Sequence, residues 1–421
     1  MLDIKFIREN PDLVRSAAVK KHINFNVDEL IDVDQKRLEK LSLVETLRAE
    51  QNAVSDKIPT VSVEEKQLLI AQMSTLKEDL KKHEEELRYI TENWNTLMLQ
   101  VPNIPDVSVP EGDDDTGNIE VRAWGEKPNI ENPKNHIELC EIHDLADFER
   151  GAKVSGFRGY FLKNEAALMS MALWQLFNER LVAKGFTPMI VPSLVNRETL
   201  VGTGYLPGGE DDLYRTQDGN YFAGTAEVAT MSYYSDEILD YKQLPIQIAA
   251  FSPAFRREAG SHSKDTKGLI RMHEFMKLEQ VVFCEASHET SVAHHEAITQ
   301  NVEEILQDLK IPYHVVVNCG GDLGQGQVKK YDIEVWMPSQ NTYRETHSAS
   351  YFHDFQTRRL NIRYRDEQGK LQFVHSLNNT AVATPRIIAC ILENYQQADG
   401  TVLVPEILQK YVGKTHIGTS K

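Results

Sequence analysis

Leu69, Met73, Leu76, Leu80, His83, Leu87, Ile90, Trp94 and Leu97 recur at alternating steps of four and three residues. This is a sustained heptad seam, and it commits the segment to a long helix whose apolar stripe needs another helix to cover it. The stretch before it, from about Asp28, is rich in Glu, Lys, Leu and Gln and poor in glycine and proline. There Ile31, Leu38, Leu41, Val44, Leu47, Val54 and Ile58 form a less regular stripe of the same kind. Between the two lies Ile58-Pro59-Thr60-Val61-Ser62, where Pro59 cannot continue a helix. Two long helices joined by a tight break predict an antiparallel coiled-coil hairpin over about 28–100. Arms of about 35 residues reach roughly 50 Å at 1.5 Å per residue. Such a hairpin cannot bury a globular core and should project as an arm; a dimerisation coiled coil or a spacer would carry the same heptads. His83 reads as a packed helix residue. Upstream, Asn10-Pro11-Asp12 marks a helix start capped by Asn10, running to about Lys20.

At 421 residues the chain is long enough for two or three domains. The helical segment occupies 1–100. A linker follows at 101–127, with Pro102, Pro105, Pro110 and the acidic cluster Glu111-Gly112-Asp113-Asp114-Asp115. Over 128–421 the character changes. β-rich runs at Ile246–Phe251, Gln280–Phe283, Tyr313–Asn318, Tyr331–Met337 and Leu360–Tyr364 alternate with helical patches at Lys163–Lys184, Glu289–Leu309 and Pro385–Gln397. That pattern predicts an antiparallel α+β domain. The polar tail after Gly413 has the composition of a disordered end.

A formal net charge of −17, from 46 basic and 63 acidic residues, argues against indiscriminate nucleic-acid binding, which needs a broad basic surface. A specific RNA met by local basic patches remains compatible with it. No apolar run is long enough to span a membrane, and the opening Met1-Leu2-Asp3-Ile4-Lys5 lacks a secretory or import leader, so the chain reads as cytoplasmic. Cys140, Cys284, Cys319 and Cys390 lie far apart, giving neither a disulfide framework nor a CxxC site, and no zinc is expected. The phosphate loop GxxxxGK[ST], HExxH and GxSxG are missing, and Gly202-Thr203-Gly204 and Gly324-Gln325-Gly326 are fragments of GxGxxG without its third glycine. A nucleotide bound here must be held by side chains.

The densest chemistry runs from Phe251 to Phe283. Phe255-Arg256-Arg257-Glu258 leads into a polar loop, Ala259 to Gly268, and the chain resumes as Leu269-Ile270-Arg271-Met272-His273-Glu274-Phe275-Met276-Lys277-Leu278-Glu279. Two strands flanking such a loop would project Arg256 and Arg271 towards a common space, where guanidinium forks suit phosphates and Phe275 could stack on a purine. A salt-bridged surface hairpin would use the same residues.

This segment resembles motif 2 of class II aminoacyl-tRNA synthetases, in the form typical of bacterial-type seryl-tRNA synthetases. Gly185-Phe186-Thr187-Pro188-Met189-Ile190-Val191-Pro192 resembles motif 1, the helix-to-strand element at the dimer interface of that class. His375 to Arg386, running into a helix that ends Leu392-Glu393-Asn394-Tyr395, resembles motif 3. Thr225-Ala226-Glu227 looks like the serine-binding TxE loop, and Tyr343-Arg344-Glu345-Thr346-His347-Ser348 like the strand that binds metal and ATP. The likeness spans nearly the whole chain, including the opening MLDIKFIRENPDLVR and the helical arm.

The resemblance implies a class II antiparallel sheet flanked by helices, behind an antiparallel coiled-coil arm. It implies activation of L-serine with ATP and transfer to the 3′ end of tRNA(Ser), and of tRNA(Sec) as well, by a homodimer. Catalysis would rest on Arg256, Arg386 and Glu345. Arg256, Arg257, Glu258, Arg271, Met272, Phe275, Glu345, Thr346, His347, Ser348 and Arg386 would meet ATP. In this set Arg256 holds the α-phosphate and Arg386 the γ-phosphate, Phe275 stacks on adenine, and Glu258 and the backbone near Met272 meet its edge. Thr225, Ala226, Glu227, Arg256, Glu279, Asn378 and Thr380 would surround serine, and Glu345 and Ser348 would ligate Mg²⁺. The arm would reach the long variable arm of the tRNA, with Lys36, Arg37, Lys40, Arg48, Lys77, Lys81, Lys82 and Arg88 as phosphate contacts. Asn379 stands where the family often has glycine and Ala349 where it often has cysteine, and Tyr351 and His353 also depart from its usual choices. A relative that charges a carrier protein would lack the long arm. An inactive paralogue would lack one of Arg256, Glu279, Glu345 or Arg386.

Overall fold

The computed structural model describes residues 1–259 and 265–418, so the middle of the polar motif 2 loop, 260–264, lies outside the described residues. The chain forms two compact units, Met1–Val19 with Ile23–Pro102, and Lys20–His22 with Asn103–Lys421.

The first unit is helical: α1 (Ile4–Glu9), α2 (Pro11–Lys20), α3 (Val27–Lys57) and α4 (Val63–Gln100). Asn10 holds the expected position before α2, its carbonyl accepting from the Val14 N–H at 3.3 Å, while its side-chain amide turns back to the Phe6 carbonyl at 3.0 Å and closes α1. Asn26 caps α3, and Ser62 with Glu65 forms a capping box at the start of α4 directly after the Pro59 break. The heptad stripes face each other in a long antiparallel hairpin, with Val44, Val54, Leu76, Leu80 and Leu97 buried and the other seam residues half-buried. Polar contacts set its register. Lys40 Nζ lies 2.6 Å from Glu86 and 3.2 Å from His83 Nδ1, Arg48 pairs with Glu84 at 2.6 Å, and Arg37 stacks over Trp94 at 4.5 Å. Heptad reasoning did not anticipate Asp34, which is fully buried in the α3 stripe and accepts from Arg37 Nη2 at 2.8 Å.

The second unit is built on an eight-stranded sheet. Its strands are β1 (Ile119–Trp124), β2 (Thr187–Ile190), β3 (Ile246–Phe255), β4 (Glu274–Cys284), β5 (Tyr313–Val317), β6 (Lys329–Met337), β7 (Thr342–His353) and β8 (His375–Ala383). Their order across the sheet is β1-β5-β6-β7-β8-β4-β3-β2, antiparallel except where β2 runs parallel to β3. Three helices match the expected patches, α5 (Asn164–Ala183), α6 (His288–Asp308) and α7 (Thr384–Tyr395). They cover the apolar core, which includes Leu173, Phe177, Ile305, Ile388 and Ile391.

Several expectations differ in detail. The run Gln280–Phe283 is only the apolar end of β4. Leu360–Tyr364 begins in a turn, with Asn361 at φ 54°, and its strand, Arg363–Arg365, pairs with Ile238–Asp240 outside the main sheet. Within 101–127, β1 forms the sheet edge opposite β5, mostly exposed and so weakly marked in sequence. Beyond Gly413, His416–Ile417 pairs with Val402–Leu403 and buries Ile417, so the polar tail is tied to the fold that far.

Candidate active site

Strands β7, β8 and β4 lie side by side and line a cleft open to solvent. On β4, regular alternation brings Phe275, Lys277 and Glu279 to the cleft face. Glu345 and Ser348 are three apart and would face opposite sides of a regular strand. A bulge at Thr346, where Ile333 pairs with His347 but Glu334 with Glu345, turns both towards the cleft. A second bulge, at Ala381, brings Ala383 to the face that Asn378 and Thr380 share by alternation. Arg256 enters from the end of β3, and Arg386 from the first turn of α7.

One end of the cleft is a buried polar cluster. Glu279 accepts from the Thr225 hydroxyl at 3.2 Å and from Lys277 Nζ at 2.5 Å, and Lys277 Nζ also donates to Thr225 at 3.1 Å. Glu227 accepts from the Tyr205 hydroxyl at 3.0 Å and from Gln356 Nε2 at 2.7 Å. Ser376 Oγ donates to the Gln356 oxygen at 2.8 Å and so fixes the amide's orientation. Burial, reinforced by the nearby Glu279 charge, pushes the Glu227 carboxyl up to about 7. Burial also raises the Tyr205 phenol well above its ordinary value, keeping it a donor.

The other end is cationic. Arg256 donates Nε to the Gly224 carbonyl at 3.2 Å, with its guanidinium 5.6 Å from the Phe275 ring. Arg386 donates Nε to the Ile270 carbonyl at 3.0 Å and Nη1 to the Glu345 carbonyl at 3.0 Å, and pairs with the Glu345 carboxylate at 3.4 Å. The Glu345 side chain is 48% exposed, reaching into open space from a dense protein wall. Enclosure would raise its pKa, but Arg386, Lys330, Arg256 and Lys277 outweigh that and hold it below the ordinary value. An adjoining cleft shares Glu345 and Arg386 and adds Arg271, Lys330, Asp332 and Arg344.

Of the residues singled out in the sequence, Glu227, Arg256, Phe275, Glu279, Glu345, Thr346, Ser348, Asn378, Thr380 and Arg386 line this cleft. Thr225 is buried directly behind Glu279. Arg271 lies in the adjoining cleft and is paired with Glu258, which sits at φ 56°. Arg257 is exposed and lines neither cleft, while Ala226 and Met272 are packed into the apolar core. His347, expected to meet ATP, does not line the cleft. Its ring is fully buried on the opposite face of β7, stacked 6.3 Å from Phe177, and burial pulls its pKa down to about 3. Asn379, Ala349 and Tyr351 are also buried away from the cleft; Asn379 donates to the Ile298 carbonyl at 2.7 Å. Sequence reasoning missed Lys277 and Tyr205. The two-residue spacing of Lys277 from Glu279 was a usable signal, since such a pair shares a strand face.

Residues 1–105 match the family description "Seryl-tRNA synthetase N-terminal domain", and residues 214–395 match "tRNA synthetase class II core domain (G, H, P, S and T)". The serine–tRNA ligase of Deinococcus radiodurans is 48% identical, over 98% of this chain and 98% of its own length. The solved seryl-tRNA synthetase of Pyrococcus horikoshii, complexed with ATP, superposes with a TM-score of 0.91 at 40% identity, covering 100% of both chains. The cytoplasmic serine–tRNA ligase of Naegleria fowleri, in complex with AMP, gives 0.88 at 31% identity, covering 100% of this chain and 99% of its own. Full-length identity of this order, joined to a class II sheet behind a helical hairpin, means that the chain belongs to the seryl-tRNA synthetase family.

Proposed function

We propose that the cleft carries out both halves of the serine–tRNA ligase reaction, with serine at the Glu227–Glu279 end and ATP across Arg256 and Arg386. The observation that carries this reading is the junction, in one cleft, of a buried carboxylate and hydroxyl cluster with two anchored guanidinium groups. Glu227 offers a carboxylate to the serine ammonium. Glu279 and Thr380 offer partners to its hydroxyl, with Asn378 beside them. Alanine would leave those buried groups unpaired, which is how hydrogen-bonding sites reject a substrate lacking a hydroxyl.

Arg256 takes the α-phosphate and offsets the charge that develops there. Arg386 takes the γ-phosphate, and Phe275 stacks on adenine, with Arg271 assisting the phosphates from the adjoining cleft. The serine carboxylate attacks the α-phosphorus and pyrophosphate leaves; the terminal hydroxyl of the tRNA then attacks the adenylate and AMP leaves. No protein nucleophile is needed, and positioning with charge neutralisation supplies the rate. Glu345 and Ser348 present hard oxygen donors to one space, which fits Mg²⁺. Those two residues would hold the ion, which neutralises phosphate charge when bound.

The helical unit, 1–100, is read as the tRNA-binding domain and residues from 128 onward as the catalytic domain. Among the basic residues of the hairpin, Arg37, Lys40, Arg48 and Arg88 are held in ion pairs, whereas Lys36, Lys77, Lys81 and Lys82 are exposed. The latter group is better suited to phosphate contacts with tRNA(Ser) or tRNA(Sec). Homodimerisation is supported by Ile190 on β2, which is 79% exposed, and by the exposed Leu168, Met171 and Val182 on α5.

The test is ATP–pyrophosphate exchange with each of the twenty amino acids, then charging of tRNA(Ser) with and without its long variable arm. Exchange with serine alone, and charging that fails without that arm, is the expected result. Exchange without charging would refute the tRNA step.

A further inference from the structure

Beside β7, the cleft is lined by the loop Gly324-Gln325-Gly326-Gln327. Gln327 Nε2 donates to the Ser350 hydroxyl at 2.8 Å, and Ser350 pairs in register with Asn378, so the loop closes the serine end. A loop with two glycines has little intrinsic rigidity, and the Gln327 side chain ties only its end to β7. Further support comes from the short segment Lys20–His22, which belongs to the same compact unit.

Lys21 is 3% exposed, and its ammonium donates to the carbonyls of Gly324, Gln325 and Gln327 at 3.1, 2.9 and 2.5 Å. Asn103 satisfies the loop from beside it. Its backbone N–H donates to the Gln325 carbonyl at 2.9 Å, and its amide donates to the carbonyls of Gly326 at 3.0 Å and Phe352 at 2.8 Å. The seat of Lys21 is built for close approach. A Cβ on Gly320 would lie 2.3 Å from the Lys20 carbonyl oxygen, and Lys20 Nζ is held by the Val109 carbonyl at 2.6 Å and by Glu111 at 3.0 Å.

A buried ammonium without a carboxylate is costly, and burial pulls this one down to about 7. Three converging carbonyls of a single loop are a specific arrangement for such a group. Nothing in the chemistry of serine activation requires it to touch substrate.

We propose that Lys21 is a positioning residue for serine recognition: its ammonium clamps the 324–327 loop, and the clamped loop shapes the wall of the serine subsite. This rests on the reading of the Glu227–Glu279 cluster as that subsite.

The test compares the full-length protein with Lys21→Met and Lys21→Arg in ATP–pyrophosphate exchange, alongside thermal melting and amide hydrogen exchange over 320–330. Lys21→Met should raise the serine KM about tenfold or more, with a much smaller change in the ATP KM. It should speed amide exchange in the loop, and Lys21→Arg, which keeps charge and donors, should recover most of the serine KM. Should Lys21→Met fail to fold, Lys21→Gln, which keeps part of the donor set, gives the same comparison. An unchanged serine KM, or a fall in kcat and melting temperature with KM and loop exchange unaltered, would overturn the proposal. Absence of serine-dependent exchange in the unaltered protein would refute the subsite reading itself, so the two failures are distinguishable.

Discussion

Glu227 is the residue whose environment most directly makes a solution prediction. Its carboxyl is pushed up to about 7 by burial, and the serine ammonium binds the ionised form. Below that pH the group is protonated in the free protein, so the serine KM should fall as pH rises through about 7. Glu227→Gln should flatten that limb, which a pH series of serine-dependent exchange will reveal. The same rise opposes folding: with a folded pKa above the unfolded one, the buried carboxyl destabilises the native state increasingly from about pH 4.5 up to about 7. Glu279 behaves differently on mutation, because its partners are buried with it. Glu279→Ala deprives the buried Lys277 of its direct ion-pair partner and should cost about 3 kcal/mol of stability, read as a loss in denaturation midpoint. Arg256→Ala should lower kcat for exchange by about a hundredfold or more while leaving the fold intact, as expected when a charge-stabilising group is removed.

At the scale of elements, the hairpin and the sheet depend on different local devices. Ser62 starts α4 with a reciprocal cap to Glu65 immediately after the Pro59 break, so Ser62→Ala should cost about 1 kcal/mol. The loss should be confined to the hairpin tip, visible as faster amide exchange near 58–70 with serine activation unaltered. Strands β7 and β8 depend on their bulges. The apolar periodicity that revealed β3, β5 and β6 is absent from them, because β8 is buried on both faces while carrying Ser376, Asn378, Asn379 and Thr380. Polar residues buried in a central strand read as loop in the sequence until their partners are known. The only guide to those strands in the sequence was family likeness.

For the whole molecule, the net charge of −17 sits beside local basic faces on the hairpin. Lys77, Lys81 and Lys82 are exposed on α4, and reversing them to glutamate should weaken tRNA charging and reduce its salt dependence. Serine-dependent pyrophosphate exchange should be unaffected. Acid stability follows from buried histidines. His295 and His353 are pulled down to about 4 and His347 to about 3, each chiefly by burial. Their folded pKa values lie below the unfolded value, so the unfolded chain binds more protons and stability falls as pH drops from about 6.5 towards 4. Glu227 works in the opposite sense over this window, but three histidines outweigh one carboxyl, so melting temperatures should be lower at pH 4 than at pH 6.5.

Periodicity and breakers in the sequence determined the hairpin, because a heptad seam and a proline act locally and need no distant partner. Apolar runs likewise determined the three long helices and half of the sheet, strands β3 to β6. The residue types at the site were legible as chemistry, Arg256, Glu279, Glu345 and Arg386 above all. Their convergence was decided by tertiary structure alone. The bulge at Thr346 determines that Glu345 and Ser348 share a face and that His347 does not, and a bulge is a property of two paired strands. Lys21 acquires meaning only when a loop more than three hundred residues away folds over it.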